Sequence, residues 1–195
     1  MKEEILKRAE ANQKRAREVV SDLDIVNIWG SVGAEANLVG SLRTGLLMSH
    51  FDIDFHIYSS PLLLKDSYAA MAKLAENLSV KRIESVNLLD TEEECVEWHA
   101  WCEDRQGDIW QIDMIHIRRG SFYDGYMERV ADGISRILTP ESKYDILKLK
   151  SDTPESVKIP GIYYYKAVLG EGIRDYASFS EWFKTQPEGV LQWMP

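Results

Sequence analysis

Between Phe51 and Ile57 the sequence reads Phe-Asp-Ile-Asp-Phe-His-Ile, two carboxylates set one residue apart in a run otherwise suited to the interior of a sheet. A strand alternates its side chains, so Asp52, Asp54 and His56 leave one face while Ile53, Phe55 and Ile57 leave the other. The apolar set must be buried against a second layer. The acids are too costly to bury as ions without a cation or a proton to share. The chain is therefore expected to hold a sheet packed on one face, with an acid site on the other that takes a cation.

The surrounding segments supply the rest of that sheet. Residues 3 to 21 have helical spacing, Ala36 to Gly40 read as a short strand, and Ser41 is expected to cap a short helix through Leu47. The second strand runs from Phe51 to Tyr58. After Pro61 a helix is predicted from Leu63 to Leu78 on the stripe Leu64, Tyr68, Met71, Leu74, Ala75 and Leu78. Two extended segments follow, Val-Lys-Arg-Ile-Glu-Ser-Val-Asn-Leu-Leu and Glu-Cys-Val-Glu-Trp-His-Ala-Trp-Cys, the second forming a hairpin with Ile109 to Ile117 through turn residues 103 to 108. Beyond Gly120 helices take over. One covers about 122 to 138, one opens at Thr139 as cap with Pro140 in its first position, one follows Pro160, and the last begins at Ser178 with a capping box to Glu181.

Together these predict an α+β fold: a mixed sheet of about five strands with helices on one side and a C-terminal helical portion. Residues 1–120 form the sheet-bearing part and residues 121–195 a helical portion packed on the same core. Residues 150 to 160, with Pro154 and Pro160, mark a boundary before the last helices, expected to act as a lid or appendage. A chain of 195 residues buries roughly 70% of its unfolded surface, enough for one substantial core.

The charge balance limits the partners. With 23 Lys and Arg against 32 Asp and Glu, the formal charge is -9, which argues against a broad nucleic-acid surface, since phosphate neutralisation needs excess cation. No apolar run approaches the roughly 18 residues of a membrane span, and a cytoplasmic location is expected. Cys95 and Cys102 lack CxxC spacing and the four histidines form no HExxH pattern, so neither a zinc site nor a disulfide framework is indicated.

On a strand the Cβ atoms of Asp52 and Asp54 lie about 6 to 7 Å apart, so the carboxylates can share one Mg²⁺ or straddle two ions. Upstream, Gly40 and Ser41 stand where a strand gives way to a helix, a place where free backbone amides attract an anion. Arg43 and Gly45 keep the turn cationic and uncrowded. The Trp29-Gly30-Ser31 stretch is a decoy, too far from the aspartates. A third acid, Asp113, sits in the apolar run Trp-Gln-Ile-Asp-Met-Ile-His-Ile, and a strand there beside that of Asp52 brings three carboxylates together. Asp108 reads more simply as a turn residue.

These residues, Val-Gly-Ser-Leu-Arg-Thr-Gly-Leu-Leu through Phe-Asp-Ile-Asp-Phe and the later Asp113, resemble the signature of the DNA polymerase β-like nucleotidyltransferase superfamily. The resemblance covers about residues 25 to 118 and looks closest to small stand-alone members and antibiotic-modifying adenylyltransferases. It implies the nucleotidyltransferase fold for residues 1–120, with Gly40, Ser41 and Arg43 holding a nucleoside triphosphate. Asp52, Asp54 and Asp113 would bind metal and carry catalysis, Asp113 completing the metal site or acting as base. The implied cofactors are two Mg²⁺ ions, with ATP or another nucleoside triphosphate as donor. The implied reaction moves AMP to a hydroxyl of a small molecule or protein. This sequence departs from the common pattern where Thr44 separates Arg43 from Gly45 and where Phe51 precedes Asp52.

A second reading is a non-catalytic nucleotide-binding or antitoxin-like regulatory module that keeps the fold. His56 shares the acidic face but reads first as structural, and Trp98, His99, Trp101 and Trp110 read first as a packed hairpin face. Lys166 is a minor candidate for the triphosphate.

Overall fold

A computed structural model of the chain describes residues 2–187 and 193–195. Helices α1 (Lys2–Leu23) and α2 (Ile25–Gly30) lead to β1 (Glu35–Leu38), the short α3 (Gly40–Arg43) and β2 (Asp52–Ser59). Then come α4 (Leu64–Leu74), β3 (Val80–Leu88), β4 (Cys95–Glu103) and β5 (Ile109–Arg118). The rest is helical: α5 (Tyr126–Ile137), α6 (Pro140–Asp152), α7 (Gly161–Tyr165), a π-helical turn at Lys166–Gly170, and α8 (Tyr176–Lys184).

The five strands form one mixed sheet in the order β1-β2-β5-β4-β3, with β2 and β5 parallel and every other pair antiparallel. The predicted hairpin is β4–β5, closed by the turn from Asp104 to Asp108. The parallel pairing sets Asp54 opposite Asp113 and Asp52 opposite Gln111. Register partners point to the same face, so the acids converge on one side of the sheet.

The opposite face is the main core. Ile53, Phe55, Ile57, Ile112, Met114, Trp98 and Ala100 pack there under Ala16, Val19 and Leu23 of α1, Trp29 of α2, and Ala70, Met71 and Leu74 of α4. A second core is mainly helical, joining Val130 and Ile134 of α5, Ile146 and Leu149 of α6, Tyr163 to Tyr165 of α7, and Phe179 of α8, with Leu46 and Ile159 from loops. The N-terminal half of α1 ties the two together, with Ile5 and Ala9 against Met48 and Leu147. Residues 161–184 thus share a core with α5 and α6.

Several boundaries differ from those predicted. Gly40 is already the first residue of α3, because the Val39 N–H bonds back to the Asp54 carbonyl at 2.9 Å and Gly40 then turns at φ 65°. Ser41 lies inside the helix and its side chain caps nothing. The helix ends at Arg43, and Gly45 at φ 70° carries the chain away. Helix α4 stops at Leu74, since Asn77 Oδ1 accepts from Ser79 N and Asn77 Nδ2 donates to the Asp22 carbonyl, leaving Leu78 91% exposed. Helix α5 starts at Tyr126, after a turn in which Gly120 N donates to Asp124 Oδ2. Helix α8 starts at Tyr176 because the carboxylate of Asp175 accepts from Ser178 N at 2.9 Å; the expected capping box is absent, and Glu181 pairs with Lys184 instead. The Thr139 cap and Pro140 start of α6 stand as predicted, with Ser142 completing a capping box.

Candidate active site

The alternation that buries Ile53, Phe55 and Ile57 turns Asp52, Asp54 and His56 into a cavity of about 710 Å³ between the sheet and the helical portion. Asp113 from β5 and Gly40, Ser41 and Thr44 from the α3 turn also line it, as do Lys150, Tyr164 and Tyr165 from the helices. Gly40 is fixed by steric necessity. A Cβ there would collide with the Asp54 carboxylate, 2.7 Å from its Cγ, and φ 65° disfavours any side chain. The Gly40 backbone thus lies directly against the Asp54 carboxylate, which also accepts a backbone hydrogen bond from Ser41.

The charges are crowded. Burial, then the neighbouring charges of Asp52 and Asp113, push the Asp54 carboxyl up to about 7, against an opposing backbone hydrogen bond from Ser41 and the charge of Lys150. Burial also raises Asp52, opposed by Lys150 and His50. Lys150 answers these acids: its Nζ donates to the Leu46 carbonyl at 2.9 Å and to Tyr165 Oη at 3.2 Å. Burial lowers it to about 8 while Asp52 and Asp54 pull it back up. The loop it grips is held from the other side by α1, where Asn12 donates to the Met48 carbonyl and Gln13 to the carbonyls of Gly45 and Leu47.

Of the residues singled out in the sequence, Asp52, Asp54, Asp113, Gly40 and Ser41 meet at the cavity. Arg43 does not. It pairs with Asp132 of α5 at 2.7 Å and donates to the Leu38 carbonyl, outside the cavity lining. Asp108 pairs with Arg15 of α1, also outside the cavity. Lys166 donates to Gln186 and lies over the Trp182 ring. His56 is kept neutral near neutral pH, burial lowering it to about 4, and it sits 3.3 Å from Tyr58 Oη. The aromatic group divides: Trp98 and Trp110 are core, while His99 faces the cavity.

Lys150 was not among the residues singled out, yet a signal for it exists. It falls on the apolar stripe of α6 with Ile146, Leu147 and Leu149, where a lysine must find buried partners. His99 was legible too, because counting outward from the hairpin turn pairs it with Asp113.

The donor set suits a hard divalent cation, because three carboxylate oxygen donors on adjacent strand positions repel one another without one. Among the described residues no group of three or more His, Cys, Asp or Glu side chains is arranged to hold a metal ion by itself. Mg²⁺ does not require one, since it keeps waters and substrate oxygens among its ligands.

No protein-family profile and no curated protein matches this sequence. Solved structures do. A cytoplasmic RNA terminal U-transferase is matched at 14% identity and TM-score 0.56, over 86% of this chain and 53% of that one. The non-canonical poly(A) polymerase complex GLD-2–GLD-3 is matched at 10% identity and TM-score 0.59, over 87% and 59%. Cid1, an RNA terminal uridylyl transferase, is matched at 16% identity and TM-score 0.56, over 87% and 55%. This chain therefore spans between half and three fifths of the length of those proteins. At such identities the likeness is one of fold alone, a mixed five-stranded sheet with a parallel β2–β5 pair.

Proposed function

We propose that this protein is a metal-dependent nucleotidyltransferase that moves AMP from ATP to a hydroxyl of a small molecule or protein, releasing pyrophosphate. The observation that carries the reading is the convergence of Asp52, Asp54 and Asp113 beside the Gly40–Ser41 turn in one cavity. Mg²⁺, held by the three acids, would neutralise charge on the phosphates and the departing pyrophosphate. The chain's own residues do the rest. The Ser41 amide, which now stabilises the Asp54 carboxylate, is the donor a phosphate takes over when the acid turns to a cation. Lys150 adds a cation beside the phosphates, and Asp113 completes the metal site from β5.

Residues 1–120 carry the acids and residues 121–195 close the cavity, a division we infer from the two cores. Among the described residues no helix is long and apolar enough to cross a membrane. With Cys95 and Cys102 free and buried, we assign the chain to the cytoplasm.

A second reading takes an RNA 3′-hydroxyl as acceptor, and it is favoured by matched structures that are RNA-tailing enzymes. The formal charge of -9 favours the first. Labelled ATP with Mg²⁺, offered to an oligoribonucleotide, a panel of hydroxyl-bearing small molecules and the protein itself, separates them by where the label goes. Label on RNA establishes the second reading. Nucleotide binding without pyrophosphate release would identify a binding module, and release that persists in Asp54→Asn would sink both transferase readings.

A further inference from the structure

Around Asp113 the acid face of the sheet carries two polar side chains, His99 and Gln111, that the proposed reaction leaves unused. His99 of β4 is the ladder partner of Asp113, and its Nδ1 lies 2.6 Å from Asp113 Oδ1. Gln111, two residues before Asp113 and on the same face, donates from Nε2 to the same oxygen at 2.8 Å. An ionised carboxylate only accepts hydrogen bonds, so the imidazole carries its proton on Nδ1. Two donors thus meet on one oxygen. Oδ2 accepts no hydrogen bond among the described residues. Oδ1 is drawn toward β4, and on the other side of β5 lies β2, where Asp54 is the register partner.

Core packing does not require this arrangement. The side chains of His99 and Asp113 remain 26% and 23% exposed, on the face away from the main core. On the far side of the ring, Glu97 Oε2 stands 3.8 Å from Nε2, so the imidazole is bracketed by carboxylates along the sheet. A free carboxylate between Asp54 and open cavity would sample several rotamers, and each divalent ion bound would have to order it. Hydrogen bonds from neighbouring groups remove that cost and offset part of the negative charge facing Asp54.

We propose that His99 and Gln111 are positioning residues that commit Oδ1 of Asp113, turn Oδ2 toward Asp54, and so set how tightly the three-acid site holds a divalent cation. The proposal rests on the reading of these acids as a cation site. It assigns His99 no contact with substrate.

The test is Mn²⁺ binding to the whole chain, followed by the paramagnetic signal of free Mn²⁺, with and without an ATP analogue whose α,β bridge resists cleavage. His99→Ala is expected to weaken Mn²⁺ binding about tenfold or more, within the range for partners that orient metal ligands. His99→Asn, whose amide can donate from near the Nδ1 position, should recover most of that loss, and Gln111→Leu should weaken binding less than His99→Ala. Thermal melts in EDTA should match wild type for all three. Equal Mn²⁺ affinity in wild type and His99→Ala overturns the proposal while leaving the cation site intact. Equal losses in His99→Ala and His99→Asn, or a loss accompanied by a lowered melt, assign the effect to packing and overturn it as well. A wild type that binds no Mn²⁺ even with the analogue removes the cation site itself, and the proposal with it.

Discussion

The two faces of the central sheet are made by the same strands and are opposite in character. On β2, Ile53, Phe55 and Ile57 are at most 1% exposed and pack under three helices. Their alternates Asp52, Asp54 and His56 face a cavity, where the two acids and Asp113 crowd like charges together. The first face holds the fold and gains from being covered. The second is kept partly open at a cost, for burial and like charge raise Asp54 well above the ordinary carboxylate range. Adjacent residues one peptide bond apart can thus serve stability and chemistry separately.

The sharpest way to break this comparison is to exchange one residue on each face. Asp54→Asn should lower Mg²⁺-dependent pyrophosphate release by about a thousandfold or more while the chain stays folded, since removal of a group stabilising transition-state charge costs on that scale. Ile53→Ala, its neighbour, should do the reverse. It should cost about 2 to 5 kcal/mol in denaturant titration, as buried Ile-to-Ala changes do, and leave release per folded molecule near wild type. If Asp54→Asn unfolds the chain, or Ile53→Ala abolishes release while folded, the division between faces fails.

A smaller effect tests where the faces' demands meet. Gly40→Ala forces a Cβ into the Asp54 carboxylate and holds alanine at φ 65°. It should lose about 1 to 3 kcal/mol of stability from backbone strain and weaken binding of an uncleavable ATP analogue in calorimetry. Unaltered analogue affinity would separate Gly40 from the site.

The smallest expected effect carries a sign. Asp54 holds its proton more tightly folded, at about 7, than at the ordinary carboxylate value of 3.8. Between those values the folded chain binds more protons than the unfolded chain, so the contribution of Asp54 is full below about 4 and is lost as pH rises through 7. Metal-free melts in EDTA should therefore fall across that window. Asp54→Asn should flatten the decline and raise the melting temperature at pH 7 by a few degrees, for roughly 1 kcal/mol. It should also abolish the added stability that Mg²⁺ with ATP gives the wild type. A lower metal-free melt in the mutant would show a structural aspartate instead, hydrogen-bonded rather than strained.

Much of this was written locally. The period of two in Phe51 to Ile57 fixed which side chains share a face, the hairpin turn at 103 to 108 fixed the pairing of β4 with β5, and Thr139 with Pro140 fixed the start of α6. Each depends on neighbours a few residues apart. The helix ends were less legible, because side chains distant in sequence or in competing turns decided them. Asn77 reaching the Asp22 carbonyl closed α4 early, and Asp175 claimed the amide of Ser178.

The sequence by itself determined that three acids stand at strand positions and that a Gly-Ser turn precedes the first two of them. Only the tertiary structure decided what surrounds them. The parallel pairing of β2 with β5 set Asp54 against Asp113. The folding back of α6 brought Lys150 to the Leu46 carbonyl, 104 positions away in sequence. The salt bridge to Asp132 took Arg43 out of the cavity. Such contacts depend on the distance between charges in space, and chain separation carries no information about that until the cores have packed.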